Sequence, residues 1–324
     1  MPEWRNWYTH TTQNRASKGL RVRVPPPAPM NKILVILGPT ATGKSDLAVR
    51  LAKKYSGEII SADSRQVYKG LDIGTGKITK KEMSGIPHYM LDVTTTKKVF
   101  TVSDWKKKID KLIPEIISHG KITIICGGTG FYIQSVVDGI VLPEVPPNKT
   151  LRKKLGKKSL LELNKILKKL DPKRAKNIDK DNPTRLIRAI EIAKYLGLVP
   201  EIKKQKSKYE FLQIGLRLPE KELKIKIDKR VLLRMKKGIV REARELHKRG
   251  LSFKRMRGLG LEYRYLADYI DSKFSKKEFI KKLDKEIWNY TKRQMTWFKR
   301  DKRIKWFRPK QTKEIHREID SFLA

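Results

Sequence analysis

The chain alternates short apolar runs with longer segments in which apolar residues recur every three or four positions. The short runs, typical of buried strands, are LVIL at 34–37, EIISA at 58–62, HYMLDV at 88–93, KITIIC at 121–126 and EFLQIGLRL at 210–218. Helical periodicity predicts helices at about 43–55, 101–120, 219–249 and 275–299. Strands that alternate with helices predict an α/β fold built on a parallel sheet.

The pattern changes at about residue 139, where a proline-rich linker, LPEVPPNKT, precedes lysine-rich helical segments. Residues 148–180 hold 13 Lys and Arg against 3 Asp and Glu. We therefore predict a small, basic, all-helical insertion domain at 139–205. The α/β core would comprise 30–138 and 206–324, and its second part would end in C-terminal helices.

Residues 1–29 differ from the rest, since they show no hydrophobic periodicity and end in a proline-rich break. They contain no apolar segment of the kind that a signal peptide needs. The peptide RVRVPPPAP can be encoded by codons that resemble the T arm of a tRNA gene. We interpret the segment as a non-native extension read from an upstream tRNA gene, or as a disordered basic tail, and exclude it from the fold.

The formal net charge of +42 is extreme for 324 residues and indicates a polyanionic partner. The segment 201–324 carries 38 Lys and Arg against 17 Asp and Glu. A lysine-rich proteome would produce the same excess, so charge alone leaves the partner open. The single cysteine, Cys126, excludes an internal disulfide and a multi-cysteine zinc site. No apolar run approaches the ~20 residues of a membrane span, and we expect a cytoplasmic protein without membrane contact.

The sequence GPTATGKS follows the first apolar run and precedes the first helix. It fits G-x-x-x-x-G-K-[ST] in the strand–loop–helix setting that the motif requires, which predicts phosphate binding. This phosphate loop consists of Gly38, Pro39, Thr40, Ala41, Thr42, Gly43, Lys44 and Ser45. Its amides and the helix start would hold the anion, Lys44 would reach a terminal phosphate, and Ser45 would ligate Mg²⁺. Most proteins with this loop act on ATP or GTP, so a kinase is the first hypothesis.

Two further strand ends carry polar side chains. Asp63 follows EIISA, and Thr129 follows KITIIC inside the glycine-rich GGTGFY. Because ligands bind outside the carboxyl ends of parallel strands, we expect Asp63 to share a crevice with the phosphate loop, and Thr129 lies at a second glycine-rich junction of the same sheet. Asp63 would act as a general base or a Mg²⁺ ligand, or would only cap a turn. Thr129 would face a leaving oxygen or a reacting amine, or would only cap the next helix.

Three segments are candidates for nucleic-acid contact. Ser64 and Gln66 offer hydrogen bonds to a base edge, and Arg65 offers one to a phosphate. In NPTRLIRAIE, Arg185 and Arg188 share a helical face and either grip phosphates or pair with a glutamate of the same helix. The aromatic and basic segment at 288–307 either stacks on single-stranded nucleic acid or anchors the last helix and strand in the core.

In order along the chain, GPTATGKS, ADSRQVYKGLDIGTGK, GGTGFY, RLIRAIE and YTKRQMTWFKRDKRIKW resemble the motifs of tRNA dimethylallyltransferases. The resemblance extends from Met30 to about Phe307. It implies transfer of a dimethylallyl group from dimethylallyl diphosphate to N6 of the adenine 3′ of the anticodon, in tRNAs that read codons starting with U. It also implies a P-loop NTPase-like core, Mg²⁺ as cofactor, the tRNA anticodon stem-loop as partner, and a monomer.

By this resemblance the phosphate loop holds the donor diphosphate rather than a nucleoside triphosphate. Asp63 matches the family's general base, and Thr129 matches the threonine near the amine and the bridging oxygen. The residues that match the family's tRNA contacts are Asp63, Ser64, Arg65, Gln66, Thr129, Thr184, Arg185, Leu186, Ile187 and Arg188. This sequence departs from the family pattern at Asp181-Asn182, whose order is swapped, and near Lys221, where the family usually has arginine.

Two other classes of function account for part of the sequence. A kinase for a small metabolite would use the phosphate loop and Asp63, but it would leave the basic insertion and the basic C-terminal segment unexplained. A non-catalytic RNA-binding module would use the charge, but it would have no use for the phosphate loop.

Overall fold

A computed structural model describes residues 31–324 of the chain, so the interpretation of residues 1–29 lies outside the described residues. One sheet of six strands forms the core, in the order β3-β2-β4-β1-β5-β6. The strands are β1 (Lys32–Leu37), β2 (Gly57–Ala62), β3 (His88–Tyr89), β4 (Ile122–Gly127), β5 (Glu210–Leu216) and β6 (Lys305–Phe307). Every neighbouring pair is parallel, which confirms the predicted α/β class.

The helices are α1 (Lys44–Lys54), α2 (Lys80–Met83), α3 (Val102–Ser118), α4 (Gly130–Val137), α5 (Lys149–Leu155), α6 (Leu160–Leu170), α7 (Pro172–Lys176), α8 (Pro183–Leu196), α9 (Glu220–Lys237), α10 (Ile239–Lys248), α11 (Phe253–Gly258), α12 (Leu261–Ile270), α13 (Lys276–Phe298) and α14 (Thr312–Leu323). Among these described helices, none combines the length and the apolar character that a membrane span requires.

The register of the central strands places three loops side by side. Leu37, at the end of β1, lies opposite Gly127 of β4 and Gly215 of β5. Ala62, at the end of β2, also lies opposite Gly127. The phosphate loop, Asp63 and the second glycine-rich junction therefore leave the sheet at the same edge, as expected for carboxyl ends of parallel strands.

Apolar layers cover both faces of the sheet. Helices α3, α4, α9 and α13 contribute to the core on one face, where Trp105 is fully buried and its indole donates to Ser61 O at 3.1 Å. Helices α1 and α14 cover the other face, with Leu47 and Ile315 in contact with the buried strands. A sheet covered on both sides explains why its strands are continuous apolar runs rather than alternating ones.

Helices α5 to α8 form a separate group between α4 and β5, with their own apolar core around Leu163, Leu167 and Leu186. The chain enters and leaves this group side by side. Val141 N donates to Lys203 O and Gln205 N donates to Gly139 O, both at 3.0 Å. We call α5 to α8 and their connections the helical insertion.

The structure differs from the sequence-based expectations in two elements. The helix expected at 219–249 is two helices, because Gly238, with φ of 94°, ends α9 and begins α10. The strand expected at 88–93 has only two residues, since Met90 and Asp92 adopt positive φ values of 64° and 54°. Left-handed residues cannot continue an extended strand, and apolar composition alone does not reveal them.

Candidate active site

A cavity of about 430 Å³ opens at the carboxyl edge of the sheet. Its walls come from the loops after β1, β2 and β4 and from helices α9, α12 and α13. The lining residues used below are Thr40, Lys44, Ser45, Asp63, Ser64, Arg65, Gln66, Gly76, Gly128, Arg230, Arg234, Glu262, Tyr290 and Gln294. Thus three of the phosphate-loop residues and the predicted Asp63-to-Gln66 segment meet in one cavity.

The phosphate loop has the backbone that its glycines permit. Gly38 and Gly43 have φ values of 137° and 85°, and a Cβ at Gly38 would collide with the Leu216 carbonyl. Thr42 is fully buried, and its hydroxyl donates to Pro39 O at 2.9 Å, which closes the loop from inside. Glycine is therefore required at Gly38 both by conformation and by the close approach of β5.

Lys44 lies at the start of α1 and points back into this loop, where its ammonium donates to Pro39 O at 2.5 Å. Burial is the main cause that lowers its pKa to about 8, and the nearby Arg230 cation lowers it further. Cys126 and Asp63 act in the opposite direction. An anion in the cavity would restore the favourable environment that this ammonium lacks.

Asp63 forms a turn directly after β2. Its Oδ1 accepts the amide hydrogens of Arg65 at 2.8 Å and Gln66 at 3.3 Å. Thr129 is at the N-cap position of α4, but its side chain does not cap that helix. Instead, the Thr129 hydroxyl oxygen accepts the amide hydrogen of Ser64 at 3.0 Å, which joins the loop after β2 to the loop after β4. Thr129 lies beside the cavity rather than among the residues that line it.

Two arginines that the sequence analysis missed enter the cavity from α9. Arg230 donates to the Thr40 hydroxyl at 2.9 Å, and Arg234 donates to Glu262 at 2.9 Å. Burial, followed by repulsion from Arg234, lowers the pKa of Arg230 to about 10. Their spacing of four residues on one helical face was a signal, but it was one of many in a lysine- and arginine-rich chain. Lys221, considered from the sequence, lies exposed at the start of α9 and is not part of the cavity lining.

Helix α13 closes the cavity through Gln294. The Gln294 Oε1 accepts the amide hydrogen of Thr40 at 3.0 Å, and its Nε2 donates to Gly128 O at 2.9 Å. One buried side chain therefore ties the phosphate loop to the second glycine-rich junction. Tyr290, one turn earlier, also lines the cavity, and burial raises the pKa of its phenol. Tyr290 and Gln294 of the segment 288–307 therefore belong to the cavity wall. The two alternatives considered for this segment, stacking on nucleic acid and anchoring in the core, did not specify that role.

The predicted segment Thr184–Arg188 lies in α8 of the helical insertion and does not line the cavity. Thr184 and Arg185 are exposed, and Arg185 pairs with Asp179 at 3.0 Å. Contact of this segment with RNA stays a prediction, but the Leu186 side chain itself is fully buried in the helical insertion. Helical periodicity is the reason, because a contiguous segment always turns one residue in three or four inward.

The remaining residues of this segment are half-buried. Ile187 packs against the same apolar core as Leu186. Arg188 donates to Glu191 at 2.5 Å and to Val145 O at 3.0 Å. The swapped Asp181-Asn182 is locally sound, since the Asn182 side chain accepts the Arg185 amide hydrogen at 3.1 Å and caps α8.

A family model described as IPP transferase matches residues 66–301. The chain belongs to the IPP transferase family. A tRNA dimethylallyltransferase of Halothermothrix orenii is 40% identical over 284 residues, which cover 85% of this chain and 87% of the relative. The tRNA dimethylallyltransferase 2 of Treponema denticola is 42% identical over 272 residues, which cover 82% of this chain and 91% of the relative.

Solved structures of IPP transferases have the same architecture. The crystal structure of a tRNA isopentenylpyrophosphate transferase from Bacillus halodurans matches with a TM-score of 0.69 and 35% identity, covering 90% of this chain and 97% of that chain. A eukaryotic dimethylallyltransferase acting on tRNA matches with a TM-score of 0.70 at 24% identity, covering 83% of this chain and 70% of that chain, a likeness of fold. The P-loop NTPase-like core expected from the sequence is thereby confirmed for this IPP transferase.

Proposed function

We propose that this chain transfers a dimethylallyl group from dimethylallyl diphosphate to N6 of the adenine 3′-adjacent to the anticodon, in tRNAs that read codons beginning with U. The products are N6-(dimethylallyl)adenosine and diphosphate. The observation that carries the proposal is the meeting of a phosphate loop, the half-buried Arg230, the buried Arg234 and Asp63 in one cavity. The relatives named tRNA dimethylallyltransferase support it independently.

The donor half of the cavity suits a diphosphate. Lys44, Arg230 and Arg234 supply three cations, and Glu262 on Arg234 is the one carboxylate hydrogen-bonded to them among the described residues. Cleavage of the allylic carbon–oxygen bond places negative charge on the departing diphosphate, while the carbon fragment spreads its positive charge over the allyl group. Cations fixed in a buried site stabilise that developing anion without reorganisation, so we assign them to the leaving group.

The acceptor half is built around Asp63. Its two amide hydrogen bonds both go to Oδ1, and no described residue donates a hydrogen bond to Oδ2. We infer that Oδ2 orients the N6 amine and accepts its proton as the new carbon–nitrogen bond forms. Because Thr129 Oγ1 already accepts from Ser64, its hydroxyl hydrogen is available for the bridging oxygen of the donor.

Magnesium is part of this proposal. The Ser45 hydroxyl and the Asp63 carboxylate both line the cavity, and oxygen donors of this kind fit Mg²⁺. The described residues hold no cluster of three or more His, Cys, Asp or Glu, so Mg²⁺ would depend on Ser45 and on donor phosphate oxygens. When bound, the ion would neutralise part of the diphosphate charge.

The proposed RNA partner is the anticodon stem-loop, with the adenine turned out of its stack into the cavity. Ser64, Arg65 and Gln66 line the cavity beside Asp63 and are placed to hold the base and its phosphate. On the helical insertion, Thr184 and Arg185 are the exposed members of the predicted contact segment. A monomer acting in the cytoplasm completes the proposal.

The test is transfer of label by the full chain. Labelled dimethylallyl diphosphate, Mg²⁺ and unmodified tRNA are supplied in one reaction, and γ-labelled ATP with the same tRNA and a metabolite pool in another. We expect label to enter tRNA only from the prenyl donor. Label that moves only from ATP would make the protein a kinase and end the proposal.

Asp63→Ala separates the proposed base from RNA binding. Loss of a general base lowers turnover by ~10²–10⁴-fold, and we expect tRNA affinity to stay within a factor of about three. The matched control is Asp110→Ala, an exposed carboxylate on α3 that pairs with Lys106, and its transfer rate should equal that of the wild type. Transfer by Asp63→Ala at nearly the wild-type rate would refute the base assignment.

A further inference from the structure

Glu242 lies outside the cavity lining, yet its carboxylate receives four hydrogen bonds. Oε2 accepts the amide hydrogens of Asp72 at 3.0 Å and Ile73 at 2.7 Å. Oε1 accepts the amide hydrogen of Gly74 at 2.9 Å and the phenol of Tyr263 at 2.5 Å. A carboxylate held by three consecutive amides and a buried phenol anchors the segment 72–74 in one conformation.

The segment continues as a tight turn that fixes Gly76. Gly76 N donates to Ile73 O at 3.1 Å, and Lys77 N donates to Asp72 O at 2.9 Å. The Thr75 hydroxyl closes the turn with a bond of 2.6 Å to Leu71 O. The position of Gly76 is therefore set by the same residues that Glu242 holds.

Gly76 forms the surface on which the two cavity arginines lie. A Cβ at this position would collide with Nη2 of both Arg230 and Arg234, so both guanidinium groups lie against its backbone. Gly76 also has a positive φ of 59°, and its carbonyl accepts a hydrogen bond from Gln66 Nε2 at 3.4 Å. The arginines repel each other, and a fixed backbone surface restricts them to one arrangement.

We propose that Glu242 is a positioning residue for the donor diphosphate, which acts through the 72–76 turn on Arg230 and Arg234. The inference rests on the proposed function for the identity of the donor. It assigns to α10 a part in donor binding, although α10 contributes no residue to the cavity lining. Fixed arginines bind a diphosphate without losing side-chain freedom, whereas arginines released from the turn would spend binding energy on becoming ordered.

If Glu242 has a role in stability alone, different results are expected. If Glu242 only anchored the fold, its loss would lower the melting temperature and the fraction of active protein, but the folded molecules would bind donor normally. A positioning role shifts donor affinity and the KM for donor in protein that remains folded. A rise in the donor KM, measured separately from kcat, therefore distinguishes a positioning role from a purely structural one.

The experiment compares Glu242→Gln with Glu245→Gln. Glutamine keeps the size of the side chain, but it has one acceptor oxygen where four donors converge. Glu245 is exposed on the same helix, and within residues 31–324 its one ion pair is with Lys248 at 3.6 Å, so it controls for loss of one carboxylate from α10. For each variant we would measure the melting temperature, the affinity for inorganic diphosphate without tRNA, the KM for dimethylallyl diphosphate, kcat and the tRNA affinity.

Glu242→Gln is expected to weaken inorganic diphosphate binding and raise the donor KM by ~10-fold, with tRNA affinity within about threefold of the wild type. We also expect kcat to fall, because the same arginines stabilise the leaving diphosphate. Glu245→Gln is expected to match the wild type in every measurement. Unchanged diphosphate affinity in folded Glu242→Gln would overturn the proposal. Because inorganic diphosphate reports on the anion site whatever the reaction, a wild type that failed to prenylate tRNA would refute the proposed function and leave this test intact.

Tyr263→Phe keeps the proposal testable if Glu242→Gln does not fold. It removes one of the four donors and keeps the aromatic ring that is packed under Gly74. We expect a rise of about threefold in the dissociation constant for inorganic diphosphate, in the direction of the larger change. Wild-type diphosphate affinity in Tyr263→Phe together with an unfolded Glu242→Gln would overturn the positioning role in favour of a purely structural one.

Discussion

The donor cavity and the helical insertion hold their arginines in opposite ways. In the cavity, Arg230 and Arg234 lie close enough to repel each other, and the one carboxylate beside them, Glu262, hydrogen-bonds to Arg234. In the helical insertion, Arg152 and Arg188 converge on Glu191, a carboxylate with 2% exposure. The first arrangement leaves Arg230 without a carboxylate partner, whereas in the second both arginines hydrogen-bond to the same buried carboxylate.

This difference shows which cations are available to a ligand. Buried cations without enough carboxylates are costly to the fold, and a site keeps them where an anion will bind. The paired arginines of the insertion have no such capacity and hold α5 to α8 together. In the proposed complex, contact between the insertion and RNA phosphates would therefore depend on exposed side chains such as Lys153 and Lys154.

Substitution of Lys44 has the largest expected effect and tests whether the cations of the donor cavity bind the donor. Lys44→Ala deletes a buried cation of the phosphate loop, and we expect kcat/KM for the prenyl donor to fall by ~10²–10³-fold. The control is Lys53→Ala on the exposed face of the same helix, which should leave kcat/KM unchanged. A loss smaller than about threefold in Lys44→Ala would show that the arginines alone hold the diphosphate.

The pH dependence of the same variant adds a second readout. Burial lowers the pKa of Lys44 to about 8, so the free enzyme loses this cation as pH rises through 8. Wild-type kcat/KM for the donor should therefore decline above pH 8. The decline should be absent in Lys44→Ala, and its persistence there would assign it to another group.

Removal of Glu191 tests the insertion half. Burial opposes ionisation of Glu191, but hydrogen bonds from Arg152 and Arg188 outweigh it and hold its pKa at about 2. Glu191→Gln leaves two arginines without a counter-charge, and we expect a loss of about 2 kcal/mol in the free energy of unfolding, with donor affinity unchanged. Urea denaturation and isothermal titration with dimethylallyl diphosphate would measure the two quantities.

Glu201→Gln is the matched control for Glu191. Glu201 also lies in the insertion and also pairs with a cation, Lys173 at 2.6 Å, but both side chains are 79% exposed. Such a pair is screened by solvent, so no change in stability is expected. If the two substitutions changed the free energy of unfolding equally, burial would not affect how much a charge pair stabilises the fold. The contrast between buried and exposed pairs would then be wrong.

The sequence located the phosphate loop and Asp63 because their signals are local. A glycine-rich loop between a strand and a helix needs no knowledge of distant elements, and the parallel strand order brings Asp63 to the same edge. Arg230, Arg234 and Gln294 are different, since each reaches the cavity only through the packing of α9 and α13. Nothing within a few residues of them marks that placement.

Two features that the local sequence pattern did not reveal have the same origin. Leu186 was grouped with its neighbours as an RNA contact, whereas the turn of α8 buries it. Residues 219–249 show continuous helical periodicity, whereas Gly238 adopts a left-handed conformation and separates α9 from α10. In both cases, tertiary packing selects among conformations that the local pattern allows. The assignment of Glu242 is a further instance, because its four donors come from two distant segments.

The smallest expected effect concerns a negative charge on α9, the helix that also carries Arg230 and Arg234. On the side of α9 that faces α13, Asp228 meets Asp284, and the buried Oδ1 atoms of both carboxyls have no hydrogen-bonding donor among the described groups. Burial, followed by the proximity of Asp228, raises the pKa of Asp284 to about 6, against a smaller opposing effect of Lys224. Asp284 is therefore protonated below pH 6, and above that pH its negative charge lies in a buried position beside Asp228.

Asp284→Asn replaces this negative charge with an amide that can donate to Asp228. Because the folded-state pKa of Asp284 lies above its ordinary value, the wild type should lose stability as pH rises from about 4 to beyond 6. We expect the variant to be more stable than the wild type by about 1 kcal/mol at pH 8, and by less at pH 5, where Asp284 of the wild type is protonated. Urea unfolding at both pH values measures this, with Asp110→Asn on α3 as the exposed control. If the variant were less stable than the wild type at pH 8, the unpaired charge of Asp284 would not destabilise the fold. Unpaired charge near α9 would then be no evidence that Arg230 and Arg234 are retained to bind an anion.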